Sequence, residues 1–150
     1  VRFLFGAALA GATLLCSPTD LAAQRDSTIT VASYFDYETV SDPQVSPDGR
    51  HVVYTRRFVN TRSDQWETAL WMMDADGSRQ RFLTNGGNPR WSPDGTRVLF
   101  VAQGEPAGAQ VFVRWMDAEG ATSQVTRLDH GPMNPAWAPD GKSIVFGSFV

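Results

Sequence analysis

Thiol chemistry is nearly missing from this 150-residue sequence, whose only cysteine is Cys16. One cysteine cannot close a disulfide within its own chain. Histidine is almost as scarce: His51 and His130 stand alone, without paired spacing or a neighbouring cysteine, so they form no recognisable metal-ligand set. No Gly-x-Ser-x-Gly occurs, the pattern that raises a serine nucleophile on a tight strand-to-helix turn. Ser78 and Ser148 have one glycine nearby and lack the second. Lysine and arginine form no run and the formal net charge is −3, which gives no electrostatic footprint for nucleic acid or an anionic membrane. The uncharged apolar run from Phe3 to Leu15 has 13 residues, short of the ~20 that a spanning helix needs. These absences leave no residue to assign as catalytic, cofactor-binding or metal-binding, and imply no cofactor.

That apolar run does suit an export signal. Arg2 supplies the positive start, and Leu21-Ala22-Ala23 supplies small residues for cleavage. Residues 1–23 are therefore expected to be a signal peptide, with Gln24 as the mature start and a periplasmic or secreted destination. Cys16 follows Leu15 rather than a small residue, so it reads as part of the signal and not as a lipid-attachment site. The mature chain would then have no thiol in an oxidising space, and no membrane contact once the signal is removed. Val1 reads as an alternative start or as a sequence that begins within a longer chain. Residues 24–42 form a lead-in whose Ala32 to Glu38 stretch suits a short helix or an extended arm, with Asp42-Pro43 closing it.

What is abundant is repetition. Pro43-Gln44-Val45-Ser46-Pro47-Asp48-Gly49, Pro89-Arg90-Trp91-Ser92-Pro93-Asp94-Gly95 and Pro135-Ala136-Trp137-Ala138-Pro139-Asp140-Gly141 recur at one period. The turn prolines at 47, 93 and 139 are 46 residues apart (93 − 47 and 139 − 93). Ser, Pro and Gly at the first, second and fourth positions fit a type I turn closed by a left-handed glycine. Ala138 in the third copy should lose one local hydrogen bond and keep the turn. Each turn leads into an apolar strand: Val52-Val53-Tyr54, Val98-Leu99-Phe100 and Ile144-Val145-Phe146. Consecutive apolar residues, rather than alternation, mean that both faces are covered.

A third strand follows, Ala69 to Asp74 and then Phe112 to Asp117, each entering a turn, Asp74-Ala75-Asp76-Gly77 or Asp117-Ala118-Glu119-Gly120. A fourth strand, Gln80 to Thr84 or Ser123 to Thr126, completes the unit. Loops are expected at Arg57 to Gln65, Gly104 to Ala109 and Leu128 to Pro132. Four strands per 46 residues make a β-propeller blade. The predicted fold is all-β: a partial β-propeller over residues 43–150, with blades at about 43–87 and 88–132 and the first hairpin of a third at 133–150. Propellers close with typically about 4–8 blades, so the sequence reads as a fragment of a longer polypeptide.

Trp-Ser-Pro-Asp-Gly, then an apolar triplet, an Asp-Gly turn and Leu-Thr, resembles the repeat of TolB-like propellers and of the prolyl-oligopeptidase family. No Trp-Asp dipeptide closes a strand, so it is not a WD repeat. The opening Val40 to Gly49, close behind an export signal, is similar to the propeller start of secreted serine peptidases of the dipeptidyl-peptidase and acylaminoacyl-peptidase type. That resemblance covers residues 40–150. It implies an N-terminal propeller that gates or positions peptide substrate for a C-terminal α/β-hydrolase domain, which this sequence does not contain. The partners implied are a peptide substrate, the rest of the propeller and that hydrolase domain, with no nucleic acid. The alternative is a non-catalytic periplasmic propeller that binds a protein partner, as TolB-like repeats imply. TolB-like proteins place an α/β domain ahead of the propeller, and residues 24–42 cannot hold one.

Individual residues read mostly as scaffold. His51 and His130 suit ordinary strand and loop positions. Asp74 to Ser78 has acidic spacing but Arg79 and Asn85 where a calcium loop needs Gly and Glu, so it reads as a turn. Trp91, Trp137, Phe100, Phe146 and Tyr54 recur in register and suit packing between blades. The best functional candidates are Arg56, Arg57 and the loop through Arg62 and Asp64, with Trp66 beside it, because propeller loops carry specificity while strands carry the scaffold. The first reading of these charges is still solvated surface, the default for exposed charged loops.

Overall fold

The computed structural model describes residues 30–149, so the expected signal peptide lies outside the described residues. The chain enters through a short helix, α1 (Val31–Phe35), whose capping box has Thr30 and Ser33 each accepting the other's backbone N–H. Strands β1 (Glu38–Val45), β2 (His51–Asn60), β3 (Gln65–Asp74) and β4 (Arg81–Asn85) form one antiparallel sheet in chain order. Strands β5 (Gly87–Trp91), β6 (Arg97–Gly104), β7 (Gly108–Trp115) and β8 (Thr122–Gln124) form a second. A final hairpin pairs β9 (Met133–Trp137) with β10 (Ile144–Gly147). Two four-stranded blades and the opening hairpin of a third are the partial propeller that the repeat predicts.

The Ser-Pro-Asp-Gly turns are self-contained. Ser92 Oγ donates to Asp94 Oδ1 at 2.6 Å and accepts from Arg97 N–H at 2.9 Å, while Asp94 Oδ1 accepts from Thr96 N–H at 3.1 Å. Ser46 and Asp48 repeat this, with His51 N–H and Arg50 N–H as donors. Gly49, Gly95 and Gly141 have φ of 72°, 71° and 67°, the region where a side chain is strained. Ala138 therefore forfeits two side-chain hydrogen bonds rather than the single one expected. The backbone bond from Gly141 N–H to Ala138 O, 2.9 Å, keeps the turn closed.

Blades meet through alternating faces. Val53, Leu70, Met72 and Leu83 of the first blade pack with Val98 and Phe100 of the second. One residue along β6, Leu99 points the other way and packs with Val111 and Val113 against Trp137 and Ile144 of the third unit. This is how three consecutive apolar residues, each at most 1% exposed, are all buried. Two further contacts repeat with the blades. Trp91 Nε1 donates to Gln44 O at 3.0 Å, and Trp137 Nε1 to Arg90 O at 3.1 Å, each reaching 47 residues back into the preceding blade. The turn glycines Gly95 and Gly141 sit against Pro47 and Pro93 of the preceding turn. In the third unit the pattern opens out: Val145, at the register of Val53 and Leu99, is 66% exposed against 0% for the other two.

Several boundaries differ from expectation. β1 begins at Glu38, so residues 38–41 of the expected lead-in already pair with Thr55 to Phe58. Pro43 does not end that segment, because a bulge between Ser41 and Gln44 takes it out of the ladder, with Asp42 at φ 49°. Asn88 before Pro89 and Asn134 before Pro135 have φ of 55° and 49°, the same device at the blade period. Arg57 to Asn60 belong to β2 rather than to a loop, and the β6–β7 connection shrinks to residues 105–107. Matching the two Asp-initiated turns aligns Trp71 with Arg114, whereas the ladders pair Trp71 with Tyr54 and Phe112 with Phe100. The structural equivalents are thus Trp71 and Phe112, and the second blade's turn lies two residues further on.

Candidate functional site: a cleft at the loop end between the first two blades

Each blade has a turn end, with its Ser-Pro-Asp-Gly and Asp-initiated turns, and a loop end, where β2 meets β3 and one blade crosses to the next. A cleft of about 670 Å³ opens at the loop end between the first two blades. Its floor is the crossing Gly86-Gly87-Asn88. Gly86 has φ 135°, and a Cβ there would lie 2.7 Å from Val101 O and 2.8 Å from Phe100 Cδ2, so only glycine lets the chain pass this close. Gly87 lies against the methyl groups of Thr55 and Thr68 at 3.5 and 3.4 Å, measured from where a Cβ would be. Trp66 and Thr68 form the wall from the first blade, and Gln103, Ala109 and Thr122 the wall from the second. The lining has amides and hydroxyls and no charged side chain.

Trp66 is fixed by its neighbours. Tyr34 and Tyr37 meet it edge-on at centroid distances of 6.0 and 6.3 Å, and the Arg57 guanidinium lies 4.4 Å over its ring. Arg57 pairs in register with Thr68 of the cleft wall, and side chains directly opposite in an antiparallel pair share a face. Arg56 points to the other face. It is held by Glu38 through two hydrogen bonds, 2.6 and 2.8 Å, and lies 4.6 Å over Trp71.

The residues singled out from sequence are therefore divided. Arg57 and Trp66 meet beside the cleft, while Arg56 is tied into a packing arrangement across the sheet. Arg62 and Asp64 lie in a tight connection organised by Asn60, whose Oδ1 accepts from Arg62 N–H at 2.9 Å; neither lines the cleft. The contribution of Tyr34 and Tyr37 is missed by sequence reasoning, although the aromatic spacing in Ser33 to Tyr37 was the available signal.

The histidines lie at opposite ends of the blades. His51 Nδ1 is 3.3 Å from Asp74 Oδ1 without hydrogen-bond geometry, and the Asp74 carboxylate is gripped by Arg79 at 2.5 Å. Asp74 to Ser78 form the β3–β4 turn. His130 O accepts from Ser148 Oγ at 3.4 Å in the loop before β9. Trp91, Trp137 and Phe100 take the packing roles expected of them. Electrostatically, the turns are the perturbed places. The Ser92 hydroxyl, then the Thr96 N–H and hydroxyl, hold Asp94 well below the usual carboxylate range. The Ser46 hydroxyl and the Arg50 N–H lower Asp48 in the same way. Both carboxylates serve their turns.

No family model matches the chain. An uncharacterized peptidase of Bacillus subtilis, YuxL, is 33% identical over 98 residues, which are 62% of this chain and 15% of that protein. Dipeptidyl-peptidase 5 of Porphyromonas endodontalis is 28% identical over 121 residues, 77% of this chain and 17% of that protein. The acylaminoacyl peptidase of Pyrococcus horikoshii superposes with TM-score 0.64 over 76% of this chain and 18% of its own, at 19% identity. The β-propeller domain of the Trilobed protease of Pyrococcus furiosus gives TM-score 0.65 over 75% of this chain and 34% of its own, also at 19% identity.

The chain resembles the propeller portion of a prolyl-oligopeptidase-family peptidase.

TolB of Acinetobacter baumannii matches the chain more loosely, with TM-score 0.55 and 20% identity over 74% of this chain and 27% of its own. The chain spans less than a fifth of the length of either curated relative. Its described residues bring no three His, Cys, Asp or Glu side chains together. What the arrangement offers chemically is a walled, neutral cleft with a cation held over an aromatic ring at its edge.

Proposed function

We propose that this chain is the N-terminal propeller segment of an exported serine peptidase, where it positions or gates peptide substrate for a separate α/β-hydrolase domain. The observation that carries the reading is the 33% identity to a peptidase over 98 residues, supported by superposition on peptidase propellers. Acyl transfer through an activated serine would belong to the hydrolase domain, and the propeller would contribute access and orientation. The coding sequence downstream of Val150 tests this. An in-frame Gly-x-Ser-x-Gly followed by Asp and His supports it, and propeller repeats running to the stop codon refute it. The 150-residue product itself should not hydrolyse aminoacyl or dipeptidyl reporters.

A TolB-like propeller that binds a protein partner is the second reading, favoured by the TolB superposition. The sequence relatives with peptidase names weigh against it. Export belongs to the proposal as well, resting on the apolar run from Phe3 to Leu15 and on Ala22-Ala23. N-terminal sequencing of the protein recovered from the periplasm or medium should begin at Gln24. Retention in the cytoplasm with residues 1–23 intact would refute export.

A further inference from the structure

We propose that the loop-end cleft, with Arg57 stacked on Trp66 beside it, binds a peptide segment that carries a carboxylate. Two adjacent arginines provide the contrast. Arg56 is spent on Glu38, whose two oxygens take its Nε and a terminal nitrogen. Arg57 makes no ion pair among the described residues, and its guanidinium carbon lies over Trp66, 4.4 Å from the ring centroid. A guanidinium held over a ring by its charge keeps its N–H donors, and a carboxylate is the group that can take two of them at once. The two glutamates nearest in the ladder do not fill that role. Glu38 and Glu67 both pair in register with Phe58, which places them on the opposite face of the sheet from Arg57.

The platform is pre-set, which reduces the ordering cost of binding. Tyr34 and Tyr37 fix the indole edge-on, and the indole is also a wall of the cleft. Beyond the cation, Asn85, Asn88, Gln103 and Thr122 line the cleft with neutral donors and acceptors, which suit the amides of an extended backbone. Thr55 Oγ1 is buried without a partner among the described residues, just behind Gly87. One cation beside a neutral polar cleft selects one carboxylate on an otherwise uncharged segment. The inference rests on the reading of the propeller as a peptide-positioning unit and names the peptide chemistry.

The test is titration of the full chain with three probes: acetyl-Ala-Ala-Asp-Ala-amide, its Asn counterpart, and that Asn peptide as the free acid. The indole N–H resonance of Trp66 reports binding. At least one acid-bearing peptide should bind at least about tenfold more tightly than the neutral amide. An advantage for the Asp peptide assigns a side-chain carboxylate, and one for the free acid assigns a chain terminus. Arg57→Gln, which keeps a stem on the indole, should abolish the preference while leaving the remaining spectrum unchanged. Equal binding of acidic and neutral peptides, a preference that survives Arg57→Gln, or no binding at millimolar peptide would each overturn the proposal. If binding is absent while the longer polypeptide hydrolyses peptides, this inference fails and the peptidase reading stands. Selective binding by a protein without a hydrolase domain gives the reverse.

Discussion

Replacing Leu99 by alanine tests how firmly the second blade is held against the third unit. Leu99 is 0% exposed and packs with Val111 and Val113 against Trp137 and Ile144 across the blade boundary. Truncation removes three carbons from a site whose walls belong to two sheets, so collapse can fill the space only by moving one sheet. A fully buried Leu→Ala typically costs about 2–5 kcal/mol, and the rigid two-sheet setting places Leu99 near the middle, at about 3 kcal/mol. Val145→Ala is the internal control at the same position of the repeat, and with 66% exposure it should change stability by no more than about 0.5 kcal/mol. Urea unfolding followed by tryptophan fluorescence reads both variants. With a slope of about 1.5 kcal/mol/M, Leu99→Ala should lower the midpoint by about 2 M, and Val145→Ala by less than about 0.4 M. A cost at Val145 equal to that at Leu99 would refute the reasoning, because the two faces would then be equally covered. So would a cost below about 1 kcal/mol at Leu99.

Gly86→Ala should be among the most damaging single-methyl additions. Its Cβ would lie 2.7 Å from a backbone oxygen in a left-handed conformation, and a loss of about 2–3 kcal/mol is expected in thermal unfolding. Gln110→Leu should cost about 3 kcal/mol in the same assay. Gln110, itself fully buried, accepts at Oε1 from Thr126 Oγ1 and Leu128 N–H and donates from Nε2 to Leu128 O, partners that leucine would leave unsatisfied. Acid should destabilise through the turns. Asp94 and Asp48 are lowered from an ordinary 3.8, so their stabilisation is present above about pH 4 and is lost as pH falls below it. Ser92→Ala removes the main cause at Asp94, and its stability should fall less steeply below pH 4 than that of the parent; an unchanged acid limb would refute the assignment.

Local chemistry was legible and cross-blade chemistry was not. Ser-Pro-Asp-Gly announces its turn because every bond it makes lies within five residues. The apolar triplets announce burial on both faces because no half-wet sheet needs them. The lengths of β1 and β2 escaped notice, since Arg56 and Arg57 read as free charge at the edge of a loop until partners are known. One is neutralised by Glu38, 18 residues away, and the other lies on Trp66. Asp42-Pro43 looked like a stop, and the signal that it is a bulge was its recurrence as Asn88-Pro89 and Asn134-Pro135. Of the candidate site, Arg57 and Trp66 were within reach of sequence reasoning. The cleft was not, because its floor is a glycine crossing and its walls come from two sheets.

The reach of Trp91 and Trp137 also has a temporal side. The carbonyl of Gln44 gains its indole partner only after 47 more residues have been made, and that of Arg90 likewise. At about 5–20 residues per second, a ribosome needs roughly 2–9 s to supply each one, while a hairpin closes in about 1–10 μs. Every blade therefore forms early and is latched late, by the blade that follows it. During vectorial synthesis the growing end always presents one sheet awaiting its latch, and that interval is where a chaperone has time to act.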